Sequence, residues 1–140
     1  REGTPDEQAI ELRSSLARVD ALGKAEHWLI KERELQLMPD QILGAGSFGF
    51  VVAGWFHGVP VAVKAVKSAQ GVSIRHLVAI ANEIRILRHA RHPNIALFHG
   101  ACVEPEEAEV LLVLERVKGT DLQSYVFEHS SDAEVYGRLQ

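Results

Sequence analysis

The chain has 140 residues, with 15 Lys and Arg against 19 Asp and Glu for a formal net charge of −4, and it is 46% hydrophobic and 24% charged. That composition describes one globular domain with a real core and excludes a largely disordered chain. The acidic balance excludes a broad electrostatic binder of nucleic acid, and no apolar run approaches the roughly 20 residues that span a bilayer. Arg1 opens the sequence and Met38 is its only methionine, so a longer parent protein is expected.

In chain order, Thr4-Pro5-Asp6-Glu7 supplies a helix N-cap, a proline at the first helical position and a carboxylate three residues after the cap. Ala9, Leu12, Leu16 and Val19 then form one helical stripe, with Gly23 as the expected C-cap. This helix is expected to pack on its own domain or to end an upstream one. A helical partner docking through residues 5–22 is the competing expectation. From Leu35 the texture turns to strands: Gln41–Leu43 runs into a glycine cluster, and Phe50–Phe56 and Val59–Val66 flank a tight His57-Gly58 connection. Ser73 is placed to cap a helix carrying Leu77, Ile80, Ile84 and Leu87, which His92-Pro93-Asn94 should stop. Ile95–Val103 and Val110–Val117 read as strands joined by the acidic turn Glu104–Glu109. Asp121 is expected to cap a short helix, and Ser131 to Glu134 to begin another.

Three features carry chemistry. Gly44-Ala45-Gly46-Ser47-Phe48-Gly49-Phe50-Val51 matches G-x-G-x-x-G-x-V. A dinucleotide fingerprint needs a helix directly after the glycines, and a strand follows here. A glycine loop between antiparallel strands can instead offer backbone N–H groups to phosphates, although an ordinary hairpin turn has the same composition. In Val61-Ala62-Val63-Lys64, alternation sends Ala62 and Lys64 to one face. A lysine in an apolar strand costs desolvation unless its ammonium meets anions or escapes at an edge. Glu83 borders the Ile80/Ile84/Leu87 stripe, where a carboxylate reaches either a lysine on the strand beneath or a neighbouring arginine in solvent.

Taken together, the glycine loop, the V-A-V-K strand and the helical glutamate, in this order, resemble the N-terminal lobe of a eukaryotic protein kinase. His92-Pro93-Asn94-Ile95 and Leu112-Val113-Leu114-Glu115-Arg116-Val117 extend the likeness. Trp28-Leu29-Ile30 and Phe98-His99-Gly100-Ala101-Cys102 make it most similar to the tyrosine-kinase-like group, whose members mostly phosphorylate serine and threonine. The fold implied is α+β, a five-stranded antiparallel sheet with one principal helix plus an N-terminal helix. Residues 1–27 would be a helical extension, 28–120 the kinase N-lobe, and 121–140 the start of C-lobe helices.

The resemblance implies that Gly44, Gly46 and Gly49 cover the ATP phosphates with Ser47 between them and Phe48 at the tip. Leu43, Val51 and Ala62 would wall the adenine. Lys64 would hold the α- and β-phosphates and pair with Glu83. Leu114 would be the gatekeeper, the backbone of Glu115 and Val117 would meet the adenine edge, and Asp121 would lie near the ribose or simply cap its helix. The expected activity is transfer of the ATP γ-phosphoryl to Ser/Thr, or Tyr, of protein substrates. A pseudokinase or scaffold that binds nucleotide or a partner is the alternative. The chain contains neither an H-R-D nor a D-F-G sequence, so Mg²⁺ would depend on C-lobe residues and these residues alone should not catalyse. His89-x-x-His92 with His99-x-x-Cys102 has zinc-like spacing, but His92 is accounted for by the helix stop, and no metal site is assigned. Cys102, the single cysteine, excludes an internal disulfide framework, suits a reducing cytoplasmic compartment, and reads as a small buried residue.

Overall fold

In a computed structural model, which describes residues 3–46, 49–66, 74–119 and 124–128, five strands form one antiparallel sheet. They are β1 (Leu35–Gly46), β2 (Gly49–Phe56), β3 (Val59–Val66), β4 (Phe98–Glu104) and β5 (Glu109–Glu115), in the spatial order β1-β2-β3-β5-β4. Helix α1 (Pro5–Ala25) precedes the sheet, and α2 (Ile74–His89) connects β3 to β4. This is the α+β architecture expected from the sequence. A short helical stretch covers 124–128; the expected caps at Ser73, Asp121 and Ser131 lie outside the described residues.

The start of α1 is the one its sequence dictates. The Thr4 hydroxyl accepts from the Glu7 N–H at 3.3 Å, and the Glu7 carboxylate accepts from the Thr4 N–H at 3.0 Å, with Pro5 opening the helix. Its end differs from expectation. The helix runs past Gly23 to Ala25, and Glu26 is the C-cap. Gly23 is needed for space: its carbonyl accepts from the N–H groups of Trp28 and Leu29, and a Cβ there would lie 2.9 Å from the Trp28 ring. The docked face is Leu12, Leu16, Val19 and Leu22, packed with Trp28 and α2 against β4 and β5. Leu16 is fully buried in this core, with Leu12 and Val19 half-buried beside it and Ala9 exposed.

The next residues run directly onto the edge of β4. Leu29 bridges to Ala101 in parallel, with Ile30 N–H donating to the Ala101 carbonyl at 2.8 Å and Ala101 N–H donating to the Trp28 carbonyl at 3.0 Å. Gly100 permits this approach, because a Cβ at that position would lie 2.4 Å from the Trp28 carbonyl oxygen.

The β2–β3 hairpin turns at His57 (φ 47°) and Gly58 (φ 78°), the two positive φ values of a turn whose twist matches its strands. Register divides the sheet residues between two faces. Val61, Val63, Leu111, Val113 and Cys102 pack on one face with Ile30, Leu35, Val52 and Phe56. Val66, Val110, Leu112, Ala101 and Val103 pack on the other with Leu16, Trp28, Ile80 and Ile84. Val61, Val63, Leu112 and Val113 are each fully buried, and each contributes about 1.5–3 kcal/mol relative to exposure.

Three boundaries depart from the sequence reading. Helix α2 ends at His89, before the His92-Pro93-Asn94 stop, and Ile95 closes a turn by donating to the His92 carbonyl at 3.1 Å. Consequently β4 begins at Phe98, not Ile95. Strand β5 ends at Glu115, not Val117, because Glu115 pairs with Val61 and the next position would face Pro60, which has no N–H to give.

Replacing Leu16 with Ala should lower the unfolding free energy by about 2–5 kcal/mol, as expected for a leucine lost from a closed core. Urea denaturation of the full-length protein measures this, and a loss under about 1 kcal/mol would show that α1 is not seated in the core.

Candidate functional site

The face of the sheet that carries α2 is closed at β4 and β5 and only half-covered around Val51, Ala62, Lys64 and Leu114, with Ala53 buried among them. In that half-covered part lie the residues singled out from the sequence. Lys64 on β3 stands opposite Val51 on β2 and Leu112 on β5, and Ala62 stands opposite Ala53 and Leu114. Val51, Ala62, Lys64 and Leu114 are therefore on one face, all half-buried. Alternation within V-A-V-K produces this: Val61 and Val63 go to the opposite, closed core, while Ala62 and Lys64 face the cleft.

Helix α2 presents Glu83 to this lysine. Ile80 and Ile84 are buried in the core, and Glu83 flanks them on the helix surface. Lys64 Nζ lies 3.9 Å from Glu83 Oε1, with the side chains 30% and 44% exposed. The sequence left open whether Glu83 meets the strand lysine or a solvent arginine; the structure places it at the lysine.

Around the pair, the last rung of the β1–β2 ladder joins Gly46 to Gly49, and Gly44 pairs with Val51 directly across from the Lys64 register. The glycines thus sit at the end of the hairpin above the lysine's row of the sheet. Ser47, Phe48 and Asp121 lie outside the described residues. Leu43 falls at a register irregularity between Ile42 and Gly44 and is 43% exposed. At the end of β5, Glu115 is occupied by Leu97: its N–H donates to the Leu97 carbonyl at 2.7 Å, and its carboxylate accepts from the Leu97 N–H at 3.1 Å. Val117 is 69% exposed beyond the strand.

Other titratable groups are arranged differently. Burial, aided by surrounding carboxylates, pushes the Cys102 thiol up to about 12, so it remains a protonated core residue. His99 packs its ring against Phe56 at 5.9 Å. Among the described residues no group of three or more His, Cys, Asp or Glu is arranged to hold a metal ion. A separate recess of about 590 Å³ lies between the end of α1 and the β4–β5 turn, with Asp20, Lys24, His27, Glu32 and Glu104 among its walls. It contains none of the residues expected to bind nucleotide.

An antiparallel sheet of five strands, with a glycine-bearing first hairpin and a β3 lysine facing a glutamate on the helix between β3 and β4, is the architecture of the small lobe of a protein kinase. A family model for protein tyrosine and serine/threonine kinases matches residues 37–140, and the chain belongs to that family. It is 34% identical over 101 residues to the serine/threonine-protein kinase VIK of Arabidopsis thaliana, covering 72% of this chain and 23% of that protein. It is 29% identical over 116 residues to the dual specificity protein kinase zak2 of Dictyostelium discoideum, covering 81% of this chain and 18% of that one. With the mouse serine/threonine-protein kinase A-Raf it shares 42% identity over 79 residues, 56% of this chain and 12% of the relative. A Raf relative agrees with the tyrosine-kinase-like resemblance. The chain spans less than a quarter of the length of each of these curated relatives.

Glu104 provides a test of the charge distribution at the recess. Partial burial, then the charges of Glu32, Glu107, Asp20 and Glu109, raise its carboxyl above the ordinary value of 4.5. A carboxyl whose folded value is raised resists ionisation in the fold, so its anion weakens the fold above that value, and the penalty fades as pH falls. Glu104→Gln should therefore raise Tm at pH 7, with the gain disappearing as pH drops below 4.5. Thermal melts of both proteins across that range check the sign, and a lower Tm for the variant at pH 7 would contradict it.

Proposed function

We propose that this chain is the ATP-binding lobe of a protein kinase that transfers the γ-phosphoryl group of ATP to Ser or Thr, with Tyr as a further acceptor, on protein substrates. The observation that carries the reading is the Lys64–Glu83 pair on the open face of the sheet, beside the glycine-bearing hairpin. The serine/threonine and dual specificity kinases among its relatives support the acceptor class. In this reading residues 28–120 form the lobe proper, 121–140 begin the helices that follow, and 1–27 are an extension that shares the lobe's core. A lone cysteine, buried and reduced, favours a cytoplasmic setting, and no described helix is long and apolar enough to cross a membrane.

The residues present fit ATP. Val51, Ala62 and Leu114 offer an apolar surface for the adenine, and Ala62 is small enough to admit a ring against the strand. Leu43 borders that surface, and the backbone of Glu115 and Val117 would meet the adenine edge. Gly44, Gly46 and Gly49, with Ser47 and Phe48 between the last two, would bring backbone N–H groups over the phosphates. Asp121 would approach the ribose. Bound ATP supplies the phosphoryl group itself. The part of this chain is to hold it in place and to compensate its charge, the two effects on which phosphoryl transfer depends most. Lys64 places a single compact positive charge against the α- and β-phosphates. Glu83 draws that ammonium into position and keeps the flexible stem from wandering. Mg²⁺ would be held by the Asp and Asn of the partner lobe, since this sequence has no D-F-G. Both charges standing at pairing distance favour catalysis over a scaffold that only binds nucleotide.

Substituting Lys64 by Met in the full-length protein should abolish transfer from ATP to casein while leaving Tm within a few degrees, because the stem is kept and the lost pair is partly exposed. Retained activity would remove Lys64 from the site. Glu83→Gln should lower kcat about tenfold or more with a smaller change in ATP affinity, the pattern of a contact used mainly in the transition state. Steady-state kinetics with titrated ATP checks this, and an unchanged kcat would end the ion-pair role.

A further inference from the structure

The nucleotide reading leaves α1, Glu26 and Arg88 without a part. Among the described residues, three contacts hold helix α2. Ile80 and Ile84 enter the core with Leu16 and Trp28. Glu83 reaches Lys64 on one flank of that stripe. Arg88 reaches Glu26 on the other: its guanidinium pairs with the Glu26 carboxylate, and a second nitrogen donates to the Glu26 carbonyl at 3.4 Å. From residue 83 to residue 88 the helix turns about 140° beyond a full turn, at about 100° per residue, so the two charged contacts straddle the buried face.

The two ties are unequal. The Arg88–Glu26 contact is two-pointed and both side chains are 27% exposed. The Lys64–Glu83 contact is single, 3.9 Å long and more exposed. Glu26 is itself fixed as the C-cap of α1, its N–H bonded to the Leu22 carbonyl at 2.8 Å. Two residues later the chain joins the β4 edge through Trp28 and Ile30. The acceptor that Arg88 grips is therefore part of the sheet's frame.

We infer that Arg88 and Glu26 are positioning residues for Glu83: they fix the rotation of α2 about its own axis at which Glu83 meets Lys64. A side-chain radius of about 5–6 Å means that a rotation of about 20° moves a terminal atom by about 2 Å. A contact already at 3.9 Å does not survive that movement. The extension 1–27 thus acts on the nucleotide site without touching it. This inference rests on the proposed role of Lys64 and Glu83.

The test uses the full-length kinase, with casein as acceptor and titrated ATP. Arg88→Ala and Glu26→Gln should each lower kcat about fivefold or more with a smaller change in ATP affinity, and Arg88→Lys should lie between them and wild type. In a Glu83→Gln background, Arg88→Ala should have no further effect, because its route to the lysine is already cut. The charge-swapped pair Glu26→Arg with Arg88→Glu should recover most of the activity lost by either single change. Wild-type kcat for Arg88→Ala, or an undiminished further loss in the Glu83→Gln background, would overturn the inference. Should Arg88→Ala fail to fold, the swapped pair decides: recovered kcat supports the positioning role, and a folded but slow pair refutes it. Lys64→Met and Glu83→Gln run in parallel separate the two levels. If they leave the rate intact, the nucleotide reading itself fails; if they reduce it while Arg88→Ala does not, the positioning role alone is lost.

Discussion

The seating of α2 on the sheet through Ile80 and Ile84 is the contact on which the rest of the molecule depends. A five-stranded sheet has two faces to keep from water. On one, the strands' own residues close over Val61, Val63, Leu111 and Val113 with help from Ile30, Leu35 and Phe56. On the other, among the described residues, α1 and α2 pack over β4, β5 and the end of β3. The core they close contains no residue of β1 or β2. What remains is a strip of sheet, half-covered, in which Val51, Ala62, Lys64 and Leu114 share a face. The cleft is thus the part of the sheet that the helices do not reach, and its far wall is the flank of α2 that carries Glu83.

Stability does not explain the lysine in that strip. An ion pair at 3.9 Å between partly exposed side chains is worth little to folding once solvent screening and the ordering of two long side chains are counted. A valine at position 64 would suit the strand better. In the proposed reading the lysine's value would lie in what a compact, mobile ammonium does for a phosphate, and the glutamate's in limiting that mobility. A planar guanidinium would not substitute freely, because it presents a rigid fork where a point charge is wanted. The same reasoning separates this pair from Arg88–Glu26, which is more enclosed and contacted twice, and so is suited to holding rather than to being released.

How much of this could be read from the sequence follows from the range of each interaction. The period-two pattern of Val59–Val66 and the His57-Gly58 turn are local, and both strands and the face shared by Ala62 and Lys64 appear as the residues predict. The Thr4–Glu7 capping box is equally local. Gly23 misled because a glycine near a helix end has two uses, and the Trp28 ring that demands space above it comes from outside the helix. The start of β4 follows from the turn that Ile95 closes on His92, and the end of β5 from a partner across the sheet, Pro60 beside Val61, so neither boundary is marked in its own strand. Arg88 and Glu26 stand 62 residues apart, and nothing near either announces the other. Trp28-Leu29-Ile30 was legible as a family mark, yet its physical role as a partner for the β4 edge was not.

That edge role bears on the site as well as on solubility. A sheet must protect the unpaired N–H and C=O groups of its outermost strands. At β4 the protection is a bonded segment, Trp28–Ile30, which ties α1 to the sheet. At β1, the opposite edge, it is irregularity: Pro39 interrupts the donors, and the register slips between Met38 and Ile42 and again between Ile42 and Gly44. Bulges of this kind increase the twist and bend of the strand that carries them. The second slip comes immediately before Gly44, at the glycine-bearing end of the hairpin. The irregularity that guards this edge thus adjoins the glycines of the proposed phosphate roof, and the two demands on β1, a protected edge and a turn into the hairpin, meet at one place in the strand.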